Sequence, residues 1–598
     1  MNSETLARPD FFKRKVLGHP AGLFVLFFTE MWERFSFYGM RVLLVNFLTM
    51  AIVGVDNPGW GWSAENAGAL FGTYAGLLYL TPIAGGIIAD KITGYRWAVV
   101  IGAGIMTLGH ASMAMETEFS LYLGLGLLVV GTGFFKPNIT SIISEMYVEK
   151  PDKKDGAYTI FYMGVNAGAF FGMMLCGYLA ERVGWSWGFG LAGIFMFLGT
   201  LQFMLSKPLF GNVGGRPGKD PLKDQNQLEE DVTPSEKEQE KKHNPFTLFD
   251  KILIILTSII GFGYLINDPL SKIANLNLIP AVVPFDFGGG SLDGPTGMAI
   301  IGLILFLILA ISRISRYTKV VRDRMIALII FAFFTVFFWM SFEQGASSLI
   351  IFARDYVDRE LTGTSAIIYN IINTILTVVP LAIITWVLIL LWKQTHKKIL
   401  GSNIVLAICF SGIWGIVLWM LGREFTADTT EITVSWFSIL NSFFIIVFAS
   451  LFSKWWESKY NPSAAMKYSF GLILLGFGFG LLAFGSGGLV EGAKVSMIWL
   501  ILAYLFHTLG ELCLSPLGLS YVSKLVPARM IAFMFGMWYL AIAIGNKLAG
   551  SFGGMIEEIT HKYDLSTFFL IFTVVPIAAG IVVALLNPLL KKLMHGIR

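Results

Sequence analysis

The chain has 598 residues, of which 55% are hydrophobic and only 14% are charged, and its formal net charge is +4. Because a soluble domain carries roughly 25% charged residues, a soluble enzyme, a disulfide-rich secreted protein and a disordered chain are excluded. The basic residues are scattered between apolar runs, which also excludes nucleic-acid binding. The long unbroken apolar runs predict a membrane protein built of α-helices, because a β-barrel would alternate apolar and polar residues.

Sixteen apolar segments follow one another along the chain, each close to the roughly 20 residues that cross a bilayer as a helix. We predict helices at residues 21–52, 64–89, 97–114, 120–147, 156–181, 186–206, 250–268, 297–315, 325–353, 365–392, 401–421, 433–453, 468–488, 494–523, 530–555 and 566–590. Every second connecting loop is rich in Lys and Arg, as in 90-DKITGYR-96 and 393-KQTHKK-398, whereas the alternate loops carry almost none. Because basic loops stay in the cytoplasm, both termini are expected to be cytoplasmic.

Two longer connections interrupt this pattern. Residues 207–249 include 223-KDQNQLEEDVTPSEKEQEKKHN-244, which is highly charged and poor in apolar residues. We predict a cytoplasmic linker there, dividing the chain into two halves. The loop 269–296 contains Gly and Pro throughout and is predicted to be irregular and to lie on the outer face.

The first predicted helix contains several charged residues, in the stretch 30-EMWERFSFYGMR-41. Glu30, Arg34, Tyr38 and Arg41 are spaced by 4, 4 and 3 residues, which places them on one face of a helix, and Glu33 lies beside them. One interpretation is an ion-pair network that only orients the helices. We favour a functional pathway, because ionisable groups inside a membrane are costly and usually serve transport or catalysis.

Three further ionisable residues fall inside predicted helices: Lys136, Glu343 and Glu511. Lys136 lies too far from the basic loop at 149–155 for its ammonium group to reach the membrane surface easily. Because the base lies in the first half and the two acids in the second, ion pairs between the halves are expected.

The remaining reactive residue types give no catalytic or metal-binding pattern. Cys176, Cys409 and Cys513 all lie in apolar stretches without ligand spacing. His110 and His507 are isolated, and packed histidines explain them better than metal ligands. We therefore expect neither an enzyme nor a bound cofactor.

Several segments resemble motifs of known membrane transporters. The segment 86-GIIADKITGYR-96 resembles the G-x-x-x-D-x-x-x-G-x-R loop of the major facilitator superfamily. The segment 30-EMWERFSFYG-39 resembles the E-x-x-E-R-F-x-Y-Y-G motif of the proton-dependent oligopeptide transporters. Other segments resemble motifs of the same family, in family order over nearly the whole chain: 131-GTGFFKPN-138, 161-FYMGVNAGAF-170, 338-FWMSFEQ-344, 435-SWFSILN-441, 508-TLGELCLSPLGLS-520 and 536-GMWYLAIAIGNKLAG-550.

This resemblance implies an all-α polytopic membrane protein with the major facilitator superfamily fold, in which two six-helix bundles surround a central cavity. The N-terminal bundle would span 1–206 and the C-terminal bundle 325–598, with the linker 207–249 and an inserted helix pair at 250–324 between them. The chain departs from the family by an additional helix pair at about 365–421 within the C-terminal part.

The resemblance also implies roles for individual residues. Those implied in proton coupling are Glu30, Glu33, Arg34 and Glu343. The implied gate salt bridges are Arg41 with Glu343 and Lys136 with Glu511, and Asp90 and Arg96 would brace the inner gate. The residues implied in peptide binding are Arg34, Tyr38, Tyr79, Lys136, Asn166, Trp339, Asn441, Glu511 and Trp538. Two departures from the family are Phe37, which lacks the first Tyr hydroxyl of the motif, and Gly72, where animal members carry a His.

The function implied is a proton-coupled symporter that imports di- and tripeptides by alternating access. The proton would be the coupling ion, no other cofactor would be needed, and a monomer in a bacterial inner membrane would be the functional unit. One alternative keeps the fold and changes the substrate to nitrate, another small anion or a modified peptide. The E-x-x-E-R motif and the pair of Lys136 with Glu511 favour a zwitterion over an anion, because an anion site has no use for the acid. A membrane sensor or a membrane enzyme is the other alternative, but no folded soluble domain and no catalytic set of residues supports it.

Overall fold

The computed structural model describes residues 11–216, 247–279, 294–490, 492–525 and 528–597. Most of the predicted linker 207–249 and half of the predicted loop 269–296 lie outside these ranges. The described part of the chain is almost entirely helical, as expected for an all-α membrane protein.

Sixteen long helices make up the described molecule, and each falls at one of the predicted segments. They are α1 (Ala21–Thr49), α2 (Ala64–Ile88), α3 (Tyr95–Met113), α4 (Glu118–Met146), α5 (Lys154–Arg182), α6 (Trp185–Leu205), α7 (Leu248–Ile273), α8 (Gly294–Ser315), α9 (Lys319–Phe342), α10 (Gly363–Thr395), α11 (Leu400–Thr426), α12 (Val434–Glu457), α13 (Ala464–Gly485), α14 (Met497–Leu525), α15 (Ala528–Gly553) and α16 (Leu565–Leu585). Thirteen of the described helices are long and apolar enough to cross a membrane. Helices α1 and α3 are less apolar, and α1 carries the charged residues of the 30–41 stretch. The protein is therefore an integral, multi-pass membrane protein.

Short elements connect or extend these helices. A π-helical turn, Ala89–Thr93, continues α2, and 3-10 turns lie at Phe11–Lys13, Pro151–Lys153 and Glu343–Ala346. The short helices are Lys207–Phe210, Ser348–Asp355, Ile556–Lys562 and Asn587–Leu593. Within the described ranges, six short strands form three pairs: β1 (Lys15–Val16) with β2 (His19–Pro20), β3 (Val357–Asp358) with β6 (Val495–Ser496), and β4 (Glu360–Thr362) with β5 (Thr429–Glu431). The β3–β6 pair is parallel and the other two are antiparallel.

The predicted helix at 325–353 is interrupted in the structure. Helix α9 ends at Phe342, and a 3-10 turn from Glu343 to Ala346 separates it from the short helix Ser348–Asp355. The Gln344 side chain donates to the Met340 and Ala549 carbonyls, both at 3.0 Å, and thereby ties this turn to α15. The break occurs in a run of polar and small residues, 341-SFEQGASS-348, which hydropathy alone does not distinguish from helix.

Helices α1–α6 pack together as one bundle and α9 with α12–α16 as a second. Close backbone contact between α1 and α5 depends on glycine: a Cβ at Gly168 would lie 2.2 Å from the Met31 carbonyl oxygen. In a bilayer, where apolar burial gives little drive for association, such small residues allow helices to pack closely.

The two inserted helix pairs pack against different parts of the molecule. Helices α7 and α8 pack on each other, and α7 also lies against α2. Helices α10 and α11 belong to the second half by sequence, but they pack mainly on the first bundle, with α11 against α6. The Phe410 ring on α11 contacts the rings of Phe28 and Trp32 edge to face, at 5.6 and 5.8 Å between centres.

The two bundles meet at one end of the molecule. We call the end that carries Phe11 and Met594 the terminal end, and the opposite end, with the loop 50–63, the far end. Toward the far end, α2 and α15 touch through Gly68 and Gly550, where a Cβ would lie 2.3 Å from the opposing carbonyl oxygen. Also at the far end, the Glu181 carboxylate on α5 accepts the first backbone N–H groups of α12, at 2.9 and 3.2 Å.

Candidate functional site

A cavity lies between the two bundles and is lined by side chains from both. It encloses about 1300 Å³ of space, part of which is open to solvent. Helices α1, α2, α4 and α5 form one wall, and α9, α12, α14 and α15 form the other. The predicted site residues that line it are Arg34, Tyr38, Arg41, Tyr79, Lys136, Asn166, Trp339, Glu343, Asn441 and Glu511.

The predicted coupling group on α1 lies partly behind the cavity wall. The Arg34 Nε donates to Glu30 Oε1 at 2.7 Å and lies 2.8 Å from Glu33 Oε2. Both carboxylates are buried and neither lines the cavity, whereas Arg34 does. One guanidinium group therefore compensates two buried acids and also presents positive charge to the cavity.

Arg41 and Glu343 form an ion pair that joins α1 to the end of α9. The carboxylate is buried, and the Arg41 guanidinium also lies over the Tyr38 ring, 5.6 Å from its centre. The break in the helix after Phe342 places Glu343 at the start of the 3-10 turn. Because each partner belongs to a different bundle, this pair requires the bundles to be close together.

Lys136 and Glu511, predicted as a second gate pair, do not form an ion pair in this structure. The Lys136 ammonium lies over the Tyr79 ring, 4.9 Å from its centre, within the first bundle. The Glu511 Oε2 accepts from Asn441 Nδ2 at 2.9 Å, within the second bundle. Among the described residues neither charge has an ion-pair partner, although both line the cavity. The two walls thus present one basic and one acidic side chain, neither of which is in an ion pair with another described residue.

Most of the predicted aromatic and amide residues line the cavity, but one packs inside the second bundle. Tyr79 and Trp339 line the cavity, and Asn166 lines it while donating to the Tyr162 carbonyl at 3.0 Å. Trp538 is not part of the lining, because α15 directs this ring toward α13, where it packs edge-on against Tyr468 at 6.4 Å. The prediction that Trp538 forms a pocket wall is therefore not supported by its position.

Asp90 and Arg96, predicted to brace the inner gate, do not pair with each other. Arg96 Nη1 donates to the Gly211 carbonyl at 2.6 Å, and its backbone N–H donates to the Gly214 carbonyl at 2.9 Å. Asp90 lies in the exposed π-helical turn after α2. Arg96 therefore fastens the start of α3 to the segment that follows α6.

The structure adds several lining residues that the sequence analysis missed. They include Tyr74, Tyr162, Ser438, Tyr504 and Asn546. Helical spacing could have found some of them, since Ser438 lies three residues before Asn441 and Tyr162 four residues before Asn166. These hydroxyl and amide groups give the cavity many neutral hydrogen-bonding sites between its charged ones.

The isolated cysteines and histidines are buried in the described molecule, and of these residues His507 lines the cavity. Cys176, Cys409 and Cys513 are free and buried, and both ring nitrogens of the buried His110 lack a hydrogen-bond partner. His507 packs on the Phe479 ring, 4.3 Å between centres. Within the described ranges, no group of three His, Cys, Asp or Glu side chains is arranged to hold a metal ion.

Comparison with known proteins gives consistent similarities. The family model of the POT family matches residues 96–229 and 415–572. A peptide transporter of Yersinia enterocolitica is 28% identical over 98% of this chain and 97% of its own length. A di-/tripeptide transporter of Lactococcus lactis is 26% identical, over 98% of this chain and 99% of its own. A crystal structure of a peptide transporter POT in complex with alafosfalin matches with a TM-score of 0.69 and 26% identity, covering 100% of both chains.

Proposed function

The chain belongs to the POT family, and on that premise we propose that it is a proton-coupled symporter that imports di- and tripeptides by alternating access. The fold is the major facilitator superfamily fold of two six-helix bundles, with helix pairs α7–α8 and α10–α11 added to it.

One observation of the cavity carries the substrate assignment. Lys136 on the first wall and Glu511 on the second have opposite charges, and within the described structure neither is neutralised by an ion pair. Every unmodified peptide has a positive amino end and a negative carboxylate, so this arrangement matches what all peptides share. Asn441 beside Glu511 provides an additional polar contact for the amino end, and Arg34 a second positive charge for the carboxylate. The tyrosine, amide and hydroxyl groups between them suit side chains of different kinds.

Proton coupling is proposed to depend on the pair of Arg41 with Glu343. The pair holds the two bundles together near the far end. When the bundles separate there, Glu343 loses its cation, and a carboxylate in a largely apolar setting binds a proton more readily without a cation beside it. When the far end closes again, the returning Arg41 displaces that proton toward the terminal end. Glu30, Glu33 and Arg34 are proposed to assist as a second, buried group of exchangeable charges.

The available energy is sufficient for accumulation of substrate. One proton that crosses about 100 mV releases about 2.3 kcal/mol. A gradient of one pH unit adds about 1.4 kcal/mol. Because about 1.4 kcal/mol corresponds to a tenfold concentration ratio, one proton supports several-hundred-fold accumulation of a neutral peptide.

The proposed setting is the inner membrane of a bacterium, with both termini in the cytoplasm and a monomer as the functional unit. The alternation of basic and non-basic loops supports this orientation. The far end would then face outward, and the contacts at Gly68, Gly550 and Glu181 would correspond to a closed outer gate. The proposal requires no cofactor besides the proton and no enzymatic activity.

The test is uptake of labelled dialanine into proteoliposomes, with an inward proton gradient and a negative interior. We expect uptake that collapses with an uncoupler and is inhibited by di- and tripeptides but not by free amino acids. Lys136→Gln and Glu511→Gln should each reduce uptake strongly, because each removes one end of the charge match. Glu424→Gln neutralises a buried carboxylate outside the cavity, bonded to Tyr178 at 2.8 Å, and is the matched control.

A second arm of the same experiment tests coupling. Glu343→Gln should abolish uptake driven by the proton gradient but retain exchange of labelled for unlabelled peptide across the vesicle membrane. Proton-driven uptake by Glu343→Gln would contradict the proposed coupling site. Absence of dialanine uptake by folded wild-type protein would contradict the substrate and leave the fold unaffected.

A further inference from the structure

A buried ion pair connects the inserted helix α7 to both bundles. The Lys547 ammonium on α15 pairs with the Asp268 carboxylate on α7. It also donates to Thr73 Oγ1 at 2.9 Å and to the Ala69 carbonyl at 3.2 Å, both on α2. Lys547 is only 3% exposed and Asp268 8%. One side chain of the second bundle is thus bonded to the first bundle and to the inserted helix together.

Helix α7 is also fastened directly to α2. The Thr73 hydroxyl donates to the Leu265 carbonyl at 3.1 Å, one turn before Asp268. Lys272 lies 3.5 Å from Asp268 and 3.3 Å from Glu65, which adds a second, more exposed link between α7 and α2. The Asp268 carboxylate therefore lies on a helix that is attached to the first bundle by contacts of its own.

The ion pair lies where the bundles are in closest contact. Gly72, one residue before Thr73, faces the Lys547 carbonyl, and a Cβ there would lie 2.8 Å from that oxygen. Any opening of the far end that separates α2 from α15 must therefore withdraw Lys547 from Thr73 and Asp268.

We infer that α7 is a working part of the far-end gate, and that Asp268 is a positioning residue that holds Lys547 against α2 when the gate is closed. Helix α7 thereby changes the equilibrium between the closed and the open far end. The inference goes beyond the proposed peptide transport, and it rests only on relative movement of the two bundles.

The physical reason is the cost of an unpaired charge. In the closed state Lys547 is removed from water, and Asp268 compensates its charge. In the open state water reaches Lys547 and the pair is no longer needed. Loss of Asp268 alone therefore destabilises the closed state more than the open one, and the populations shift toward the open far end.

The experiment measures the distance between two spin labels at the far end by pulsed electron paramagnetic resonance. The labels are attached to Asp56→Cys in the first bundle and His561→Cys in the second, both at exposed positions. The three native cysteines are buried and should label poorly. Asp268→Asn should raise the ratio of open to closed molecules about tenfold or more, which corresponds to about 1.4 kcal/mol.

Three further variants complete the test. Lys547→Met should also raise the open fraction, because it leaves Asp268 without its buried partner. The double variant Asp268→Leu with Lys547→Met should return close to the wild-type distribution, because no charge remains to be compensated. Lys272→Gln, the control, removes a more exposed partner of the same carboxylate and should shift the ratio less than threefold.

An unchanged distance distribution in folded Asp268→Asn would overturn the inference, as would a double variant no closer to wild type than the single ones. If Asp268→Asn does not fold, Lys547→Met and the double variant decide the question in the same way. A purely structural pair would lower thermal stability without changing the ratio of the two distances. No peptide is needed, so the result does not depend on the substrate assignment.

Discussion

Replacing Gly550 with alanine is expected to push α2 and α15 apart at the far end. The new Cβ would lie 2.3 Å from the Gly68 carbonyl oxygen and 2.6 Å from Gly72 Cα, whereas ordinary contact begins at 3.4 Å. Because the opposing atoms are backbone, no side-chain rotation relieves the overlap, and the helices must separate by about 1 Å. Overpacking of this kind costs about 1–3 kcal/mol, which shifts the ratio of open to closed far ends roughly 5- to 150-fold.

The assay is the distance between spin labels on Asp56→Cys and His561→Cys, measured with and without Gly550→Ala. We expect a longer distance to gain population in the variant. Gly536→Ala is the matched control, because it adds the same methyl group to the same helix at a position with no described atom within 4 Å. If Gly550→Ala retains the wild-type distribution and stability, the close approach of α2 and α15 is not a gate contact and the reasoning is refuted.

Two predictions concern stability. Phe410→Ala removes two edge-to-face contacts with the first bundle and should lower the free energy of unfolding in detergent by about 1–3 kcal/mol. Ile408→Ala, at a position that is 54% exposed, is the control and should have little effect. Equal losses in the two variants would contradict specific packing of α11 on the first bundle. Asp564 caps α16, and hydrogen bonds from Thr567 hold the pKa of its carboxyl below the ordinary value. The charged carboxylate therefore stabilises the folded protein above about pH 4, and this stabilisation is lost as the pH falls toward the lowered pKa. Asp564→Ala should therefore cost about 1 kcal/mol near neutral pH and less in acid, and a cost that does not depend on pH would refute the role of the charge.

Much of the fold could be predicted because hydropathy acts over whole helices. Sixteen apolar segments correspond to sixteen described helices, and the error is mostly in where each one ends. The break at Glu343 was missed because the residues on both sides are apolar enough to continue the helix. The Glu343 carboxylate pairs with Arg41, which lies about 300 positions away in the sequence. The periodicity of apolar residues within one helix cannot reveal such a contact.

The candidate site could be predicted in part, for a related reason. Spacing on α1 places Arg34, Tyr38 and Arg41 on one face, and all three line the cavity. The spacing of residues within one helix does not give the distance between the two bundles. It therefore could not predict that Lys136 and Glu511 are apart in this structure while Arg41 and Glu343 form an ion pair.

The immediate sequence neighbours of two other residues do not indicate the contacts that those residues make. Trp538 lies in the same motif as the lining residue Asn546, but its ring packs against Tyr468 instead of lining the cavity. Asp268 lies four residues before Lys272, the spacing of an ordinary exposed pair on a helix, and this conceals its buried contact with Lys547.

The docking of α10 and α11 on the first bundle affects the order in which the molecule can be assembled. Helices α1 and α6, which receive this pair, precede it in the chain, whereas α12–α16 follow it. During synthesis, helices α10 and α11 can therefore pack on the first bundle before α12–α16 of the second half have been made. Helix α9, the one long helix of the second bundle made by then, is attached on both sides to segments already docked, α7–α8 before it and α10–α11 after it. The second bundle can thus assemble on a helix whose position is already restrained, because α9 is connected on both sides to helices that are packed.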